Sequence, residues 1–214
     1  MNGELILVQD VALCFATLIA QKIQSNPELI FVGSGGPTAK ACYEKLTQIA
    51  LSQSLQCSKI TILLTDERCF APKQDSNSEM ILQTLVKPLK IKNFYPLNCE
   101  DTKDYENLLS EIKLDIIHLG MGPDGHTASL FPGLNNYETK EKLIKTSDPN
   151  LANPYQRISL TLNVINSAEL AIFTVSGHSK HDALKAIMQG ADLPAGKVST
   201  KKLLWLVDSE AYYG

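Results

Sequence analysis

The chain has 214 residues, 44% of them hydrophobic, which suits one domain with a sizeable core. Its formal net charge of −3 argues against general nucleic-acid binding, so an anionic substrate would have to be held by local cations. The five cysteines form no Cys-x-x-Cys pair, and this predicts reduced thiols, no zinc site and a cytoplasmic protein.

The longest apolar run near the N-terminus, Val11 to Ala20, is too short to span a bilayer. It follows Glu4 and Asp10 and has no basic leader, so it does not resemble a signal peptide. Its larger side chains recur at helical spacing. We therefore expect a core-facing first helix and no contact with a membrane.

Short apolar runs alternate with segments of helical periodicity along the whole chain. The expected strands are Glu4–Val8, Leu29–Gly33, Lys59–Leu64, Leu114–Leu119, Arg157–Leu162, Leu170–Val175 and Leu203–Val207. The expected helices run to about Ser25, from the next glycine turn to about Leu51, and over Ser76–Leu89, Asp101–Lys113 and His178–Gln189. Thr139–Pro154 is polar, and we expect a loop that could act as a flap.

This alternation predicts a single α/β domain over residues 1–214. The expected architecture is Rossmann-like and doubly wound, a mostly parallel sheet with helices on both faces. Because the carboxyl ends of parallel strands share one edge, polar motifs that follow the strands should converge there.

The first such motif is the loop Gly33-Ser-Gly-Gly-Pro-Thr38, which follows a strand and opens a helix. Backbone N–H groups at a helix start favour an anion, and glycines let it come close, so Ser34, Gly35 and Gly36 are candidates for phosphate or sugar binding. The loop lacks the Gly-Lys-Ser/Thr ending of a Walker A motif. A tight turn without a ligand is the alternative.

Three cations follow other strands or open them. Arg68 ends Asp66-Glu-Arg, Arg157 begins a strand, and Lys180 lies at a strand-to-helix turn. Each alone is more often a solvated surface charge than a ligand. Together they supply positive charge near the predicted strand ends, and arginine offers a planar fork for phosphate or carboxylate oxygens.

The seven residues Gly120–His126 carry three glycines, an aspartate and a histidine directly after an apolar strand. His126 can exchange a proton near neutral pH, and Asp124, two residues away, could orient its ring. A structural histidine is the alternative. We expect His118 to be a core residue, and Ser129 has no nucleophile-elbow context.

Two further patterns are weak. Gly120, Gly122 and Gly125 formally match the G-x-G-x-x-G pattern of dinucleotide-binding proteins. However, Pro132-Gly133 would end any long helix after the loop, and no acidic residue ends a strand about 20 residues further on. Both features disfavour a dinucleotide site. His178 and His181 lack a third ligand and make a weak case for a metal.

Taken together, these motifs resemble the 6-phosphogluconolactonase family over nearly the whole chain. The most specific signature is Gly120-Met-Gly-Pro-Asp-Gly-His-Thr-Ala-Ser-Leu-Phe-Pro-Gly133. Six further segments occur in the order that is typical of the family: Ser34-Gly-Gly-Pro-Thr, Asp66-Glu-Arg68, Ser76-Asn77, Arg157-Ile-Ser-Leu-Thr, Gly177-His-Ser-Lys180 and Trp205-Leu-Val-Asp208. The family usually has Ser-Gly-Gly-Ser-Thr-Pro in the first loop, so Pro37 and Ala39 are departures, and a hydroxyl is lost.

The same superfamily includes glucosamine-6-phosphate deaminases, which typically carry Asp-Glu-Tyr in place of Asp66-Glu-Arg68 and a glutamate where this chain has Phe131. An apolar ring cannot transfer the protons that amine loss requires. A deaminase or isomerase and a non-catalytic sugar-phosphate sensor are the alternative functions.

The resemblance implies hydrolysis of 6-phospho-D-glucono-1,5-lactone in the oxidative pentose phosphate pathway, with no metal and no organic cofactor. His126 would be the general base and Asp124 its orienting partner. Arg68, Arg157 and Lys180 would hold phosphate and developing charge, with Ser34, Gly35 and Gly36 lining the site. The oligomeric state cannot be predicted from the sequence.

Overall fold

The computed structural model describes residues 1–134, 139–148 and 154–214. Its strands are Glu4–Leu7 (β1), Ile30–Gly33 (β2), Thr61–Leu64 (β3), Asp66–Arg68 (β4), Asn93–Phe94 (β5), Ile116–Gly120 (β6), Leu143–Thr146 (β7), Arg157–Leu160 (β8), Leu170–Val175 (β9) and Lys202–Val207 (β10). Its α-helices are Val11–Ser25 (α1), Pro37–Ser52 (α2), Asn77–Ile81 (α3), Lys103–Glu111 (α4), Leu162–Asn166 (α5), His181–Met188 (α6) and Ser209–Tyr213 (α7). None of the helices in these ranges has the length and apolar character needed to cross a bilayer.

Seven strands form one sheet in the order β1-β10-β9-β6-β2-β3-β5, and its neighbouring strands run parallel. From β2 the chain moves on to β3 and β5, whereas from β6 it moves the other way, to β9 and β10. Because crossovers are right-handed, this reversal puts helices on opposite faces and opens a crevice at the carboxyl ends of β2 and β6. The doubly wound, Rossmann-like α/β prediction is confirmed.

A second, antiparallel sheet of β4, β8 and β7 was not expected from the sequence. The triplet beginning at Asp66 does not end the third strand but leaves the main sheet and pairs with β8. The strand from Arg157 stops at Leu160, because Leu162 already begins α5. This small sheet lies beyond the carboxyl end of β3, so it forms an extra wall at the edge where the motifs meet.

Part of the expected flap is also ordered. Leu143–Thr146 pairs with β8, and both Leu143 and Ile144 are buried. The loop prediction is therefore wrong for these four residues, since their apolar side chains close the core beneath the small sheet. Residues 149–153 of the expected flap lie outside the described residues.

The starts of α1 and α3 follow local capping chemistry. Asp10 caps α1 by accepting a hydrogen bond from the Leu13 N–H at 2.8 Å, and Ser76 caps α3 by accepting from Glu79 at 3.2 Å. The chain beyond α3 continues as a π-helical turn over Leu82–Val86, which together with α3 fills most of the predicted helix. These caps fix where the chain leaves and re-enters the sheet.

Cys69 and Cys99 form a disulfide across 30 residues of sequence. The expectation of reduced thiols is wrong for this pair, because the exit of the chain into β4 brings Cys69 beside the segment before α4. Cys14, Cys42 and Cys57 are free. Burial raises the pKa of the Cys42 thiol to about 12, so it packs as a neutral group.

Candidate active site

A cavity of about 430 Å³ lies at the reversal point of the sheet, between the loops after β2, β6 and β9 and the edge of the small sheet. Its lining includes seven of the eight residues expected from the sequence: Ser34, Gly35, Gly36, Arg68, His126, Arg157 and Lys180. Asp124 is not on the lining but contacts His126 from behind. The predicted convergence of the motifs is thus confirmed.

The loop after β2 presents backbone donors. Gly36 has a φ of 97°, a left-handed conformation that favours glycine, and no side chain caps the 16-residue helix α2 that begins there. Pro37, the first helical residue, has no N–H to offer, so Thr38 and Ala39 provide the first donors of the helix. This helix start favours an anion through its backbone rather than through a serine hydroxyl.

Gly35 allows a second close approach. A Cβ atom at Gly35 would lie 1.9 Å from Oδ1 of Asn77, so only glycine lets the two segments touch. The Asn77 amide donates in turn to the backbone oxygen of Asp66 at 3.0 Å, and Asn77 is buried. The Ser34 loop and the small sheet are therefore joined through one amide side chain.

Behind the same loop lies a buried polar chain. The Tyr43 hydroxyl accepts from the Ser34 N–H at 2.9 Å and lies 3.2 Å from the Ser34 carbonyl oxygen and 2.8 Å from Nδ1 of His118. Nε2 of His118 is 2.8 Å from the hydroxyl of Thr174, which lines the cavity. Burial lowers the pKa of His118 to about 3, so this ring is neutral and supports the loops, as predicted.

The second histidine has a different setting. Nδ1 of His126 lies 2.6 Å from Oδ1 of Asp124, and both side chains are more than a quarter exposed. Burial alone would raise the pKa of Asp124, but hydrogen bonds and charge from His126 outweigh it and lower that pKa. The carboxylate thus holds the proton on Nδ1, which leaves Nε2 as the basic nitrogen.

Gly122 makes room for this pair. A Cβ atom there would lie 2.1 Å from Nδ1 of His126 and 2.6 Å from Oδ1 of Asp124. Its N–H donates to the His126 carbonyl at 2.9 Å and closes the loop. Position 122 therefore requires glycine, because the side chains of His126 and Asp124 approach its backbone closely.

The small sheet brings two arginines together. Arg68 and Arg157 are directly opposite each other in the register of β4 and β8. Like charges so placed repel each other unless an anion lies between them. Both side chains have a buried Nε atom without a hydrogen-bond partner among the described residues. Burial lowers the pKa of Arg157, and the charge of Arg68 acts in the same direction, whereas the charge of Asp66 opposes both. This arrangement favours an anionic ligand.

Glu67 and Asp66, which precede Arg68 in the same strand, hydrogen-bond to different parts of the chain. Glu67 is buried and accepts from the N–H groups of Asn77 and Ser78 at 2.9 and 2.7 Å, so it orders the start of α3. Asp66 accepts from the Ser129 hydroxyl at 2.6 Å and lies 3.7 Å from Arg157. Ser129 is therefore a buried bridging group, in accord with the prediction that it is no nucleophile.

Lys180 reaches the cavity from the turn after β9. Asp208 accepts from the Gly177 N–H at 3.0 Å and from the Ser176 hydroxyl at 2.5 Å, and Gly177 has a φ of 91°. Burial lowers the pKa of the Lys180 amine, while the charge of Asp124 acts in the opposite direction. A partly desolvated ammonium group thus lies near the histidine–aspartate pair.

Among the polar residues of the cavity wall that were not expected as site residues are Asp66, Asn77 and Thr174. The first two stand in motifs that the sequence analysis noted, whereas Thr174 lies inside an apolar strand and gives no signal. The described ranges contain no cluster of three or more His, Cys, Asp or Glu side chains that could hold a metal ion. The rings of His178 and His181 lie 6.5 Å apart.

The fold and the cavity define an α/β protein whose cavity is lined by three cations and by a histidine that is paired with a carboxylate. The family model described as glucosamine-6-phosphate isomerases/6-phosphogluconolactonase matches residues 4–205. This chain belongs to that family.

Individual relatives and solved structures resemble this chain over nearly its whole length. A 6-phosphogluconolactonase of Synechocystis sp. is 31% identical over 229 aligned residues, covering 96% of this chain and 92% of the relative. A 6-phosphogluconolactonase structure from Thermotoga maritima has a TM-score of 0.81 at 26% identity, covering 97% of this chain and 100% of the other. A monomeric glucosamine-6-phosphate deaminase has a TM-score of 0.86 at 20% identity, covering 97% and 98%, so the fold alone does not separate the two activities.

Proposed function

We propose that this protein is a 6-phosphogluconolactonase that hydrolyses 6-phospho-D-glucono-1,5-lactone to 6-phospho-D-gluconate in the oxidative pentose phosphate pathway. The observation that carries the proposal is the His126–Asp124 pair, with Nδ1 and Oδ1 2.6 Å apart, beside a cavity that three cations line. A base and local positive charge are what an ester of a phosphorylated sugar acid requires. The names of the relatives agree with this substrate.

His126 acts as the general base. Asp124 keeps the proton on Nδ1, so Nε2 removes a proton from a water molecule that attacks the lactone carbonyl carbon. The tetrahedral oxyanion collapses, the bond to the ring oxygen breaks, and the protonated imidazole returns its proton to that oxygen. The acid that forms ionises in water, so each turnover releases one proton to the medium.

The cations hold the two negative groups of the reacting substrate. Arg68 and Arg157 face each other across the small sheet, and this favours one shared anion, the phosphate of the substrate. Lys180 lies near Asp124 and is the cation we assign to the developing oxyanion. Ser34, Gly35 and Gly36 also line the cavity, and we assign the backbone donors of Gly35 and Gly36 to the sugar hydroxyls.

Two activity assays test the proposed function. Proton release is followed on freshly made lactone, with the spontaneous hydrolysis subtracted, and we expect a rate well above that background. Ammonia release from glucosamine 6-phosphate is the matched assay for the deaminase, and we expect none, because the buried ring of Phe131 cannot transfer protons. Ammonia release without lactone hydrolysis would contradict the proposal.

We also propose a cytoplasmic location, since the substrate pathway uses soluble phosphorylated intermediates. The Cys69–Cys99 disulfide is unusual for a reducing compartment. Thiol alkylation of the protein in freshly lysed cells tests both points, and a fully oxidised pair in a secreted fraction would contradict the location.

A further inference from the structure

Phe131 touches two of the site residues at once. Its ring is 1% exposed, its centroid lies 4.8 Å from that of the His126 imidazole, and the Arg157 guanidinium carbon lies 5.6 Å from the ring centre. It stands outside the cavity lining, so it has no contact with a bound substrate. The aromatic face is thus a shared support for a base and a cation.

We propose that Phe131 is a positioning residue that fixes the imidazole of His126 and the guanidinium of Arg157 relative to each other. This inference rests on the proposed function. The substrate carbonyl and its phosphate belong to one small molecule, so the base and the cation that hold them must keep a fixed separation. A single rigid ring between the two provides that separation.

The hydrogen bond to Asp124 does not immobilise His126 by itself. It fixes Nδ1, but the ring can still tilt about that contact, and more than a quarter of the side chain is exposed. The Phe131 ring packs at 49° to the imidazole and limits this tilt. The direction of Nε2 therefore depends on both contacts.

Arg157 has few close polar contacts among the described residues. Its Nη1 lies 3.3 Å from the Ser129 hydroxyl, the Asp66 carboxylate is 3.7 Å away, and Nε has no hydrogen-bond partner in that part of the chain. A guanidinium within about 6 Å of an aromatic centroid is attracted to the ring face, more strongly when it is desolvated. Arg157 is 8% exposed, so the contact with Phe131 adds to these polar contacts in orienting its guanidinium.

The test compares two buried phenylalanines. In Phe131→Leu the aromatic face is lost while the volume is largely kept. Phe173→Leu is the matched control, because Phe173 is fully buried and stacks on Trp205 at 3.9 Å, away from the cavity lining. If Phe131→Leu does not fold, Phe131→Met takes its place, since methionine adapts to the same space.

We expect Phe131→Leu to lower kcat/KM by about tenfold, the size of a desolvated cation–π contact plus a misaligned base. Phe173→Leu should leave kcat/KM within about twofold of the wild type, although it should lower the melting temperature as much as Phe131→Leu does. In a His126→Ala background, Phe131→Leu should lower kcat by less than about twofold, because its effect on kcat passes through the imidazole, whereas a rise in KM through Arg157 should remain. Equal kcat/KM in the two leucine variants, or a full additional loss of kcat in the His126→Ala background, would overturn the proposal.

A spectroscopic measurement separates this inference from the proposed function. The ¹³C relaxation of the His126 Cε1–H group reports how far the imidazole tilts, and it needs no substrate. We expect a rigid ring in the wild type and in Phe173→Leu, and a more mobile ring in Phe131→Leu, while Asp124 keeps the proton on Nδ1 in all three. If the wild type fails to open the lactone, the function is wrong and the ring mobility alone decides the role of Phe131, with unchanged mobility in Phe131→Leu refuting it.

Discussion

Two histidines eight residues apart, His118 and His126, show how surroundings set the chemistry of one side chain. His118 is fully buried and lies between the hydroxyl groups of Tyr43 and Thr174. His126 is partly exposed and paired with the carboxylate of Asp124. A neutral hydroxyl gives no charge stabilisation to an imidazolium ion, whereas a carboxylate does. The first ring therefore supports the structure, and the second is available to accept a proton.

Removing the base should give the largest effect. We expect His126→Ala to lower kcat by about 10²–10⁴-fold, the typical contribution of general-base catalysis, with little change in the free energy of unfolding. His181→Ala, a histidine outside the cavity lining, is the control and should retain full activity. Near-normal turnover of His126→Ala by the proton-release assay would remove the assigned role.

The partner carboxylate should matter somewhat less. Asp124→Asn keeps the shape but loses the charge, and its amide can present a donor to Nδ1, which favours the wrong tautomer. We expect kcat to fall by about 10²-fold while KM changes little. A variant with lowered KM and unchanged kcat would show that Asp124 acts on binding instead.

The buried histidine should show the opposite pattern. In His118→Leu the hydroxyls of Tyr43 and Thr174 lose a buried partner, and we expect the free energy of unfolding to fall by about 2–3 kcal/mol. The folded fraction should retain kcat within about threefold, since the ring does not reach the cavity. Urea unfolding and kinetics on the same sample measure both. A loss of kcat as large as that of His126→Ala would break the comparison.

The smallest effect is a pH dependence. Because the pKa of His118 falls from 6.5 to about 3 on folding, the unfolded chain binds more protons between these values. Stability should therefore decrease as the pH falls below 6.5, by about 1 kcal/mol between pH 6.5 and 5.5 from this group. His118→Leu should lack this component of the slope. Identical slopes in urea unfolding of both proteins would show that His118 titrates normally.

The sequence predicted the parallel sheet and the meeting of its motifs for a physical reason. Strands such as Leu114–Leu119 are continuous apolar runs, and glycine-rich loops follow them directly, so type and position are local signals. The core role of His118 followed from its place at the end of such a run. The tautomer and orientation of His126 depend on the adjacent Asp124, which is also local.

The small sheet could not be predicted in this way. Asp66–Arg68 is entirely charged, and its burial depends on pairing with a strand about 90 residues away, which no local pattern reveals. The opposition of Arg68 and Arg157 and the bond of Cys69 to Cys99 are long-range consequences of that topology. The contact of Thr174 with His118 is also long-range, but it joins neighbouring strands of the main sheet.

Gly122 has a consequence for genetic screens. Any side chain there would collide with both members of the His126–Asp124 pair, although the glycine itself takes no part in the reaction. In a saturation library sorted for lactone hydrolysis, position 122 should tolerate as few amino acids as position 126. A map of intolerant positions would then group Gly122 with the residues that react, although Gly122 takes no part in the reaction. The structure shows the difference: position 122 must lack a side chain, whereas position 126 must have an imidazole.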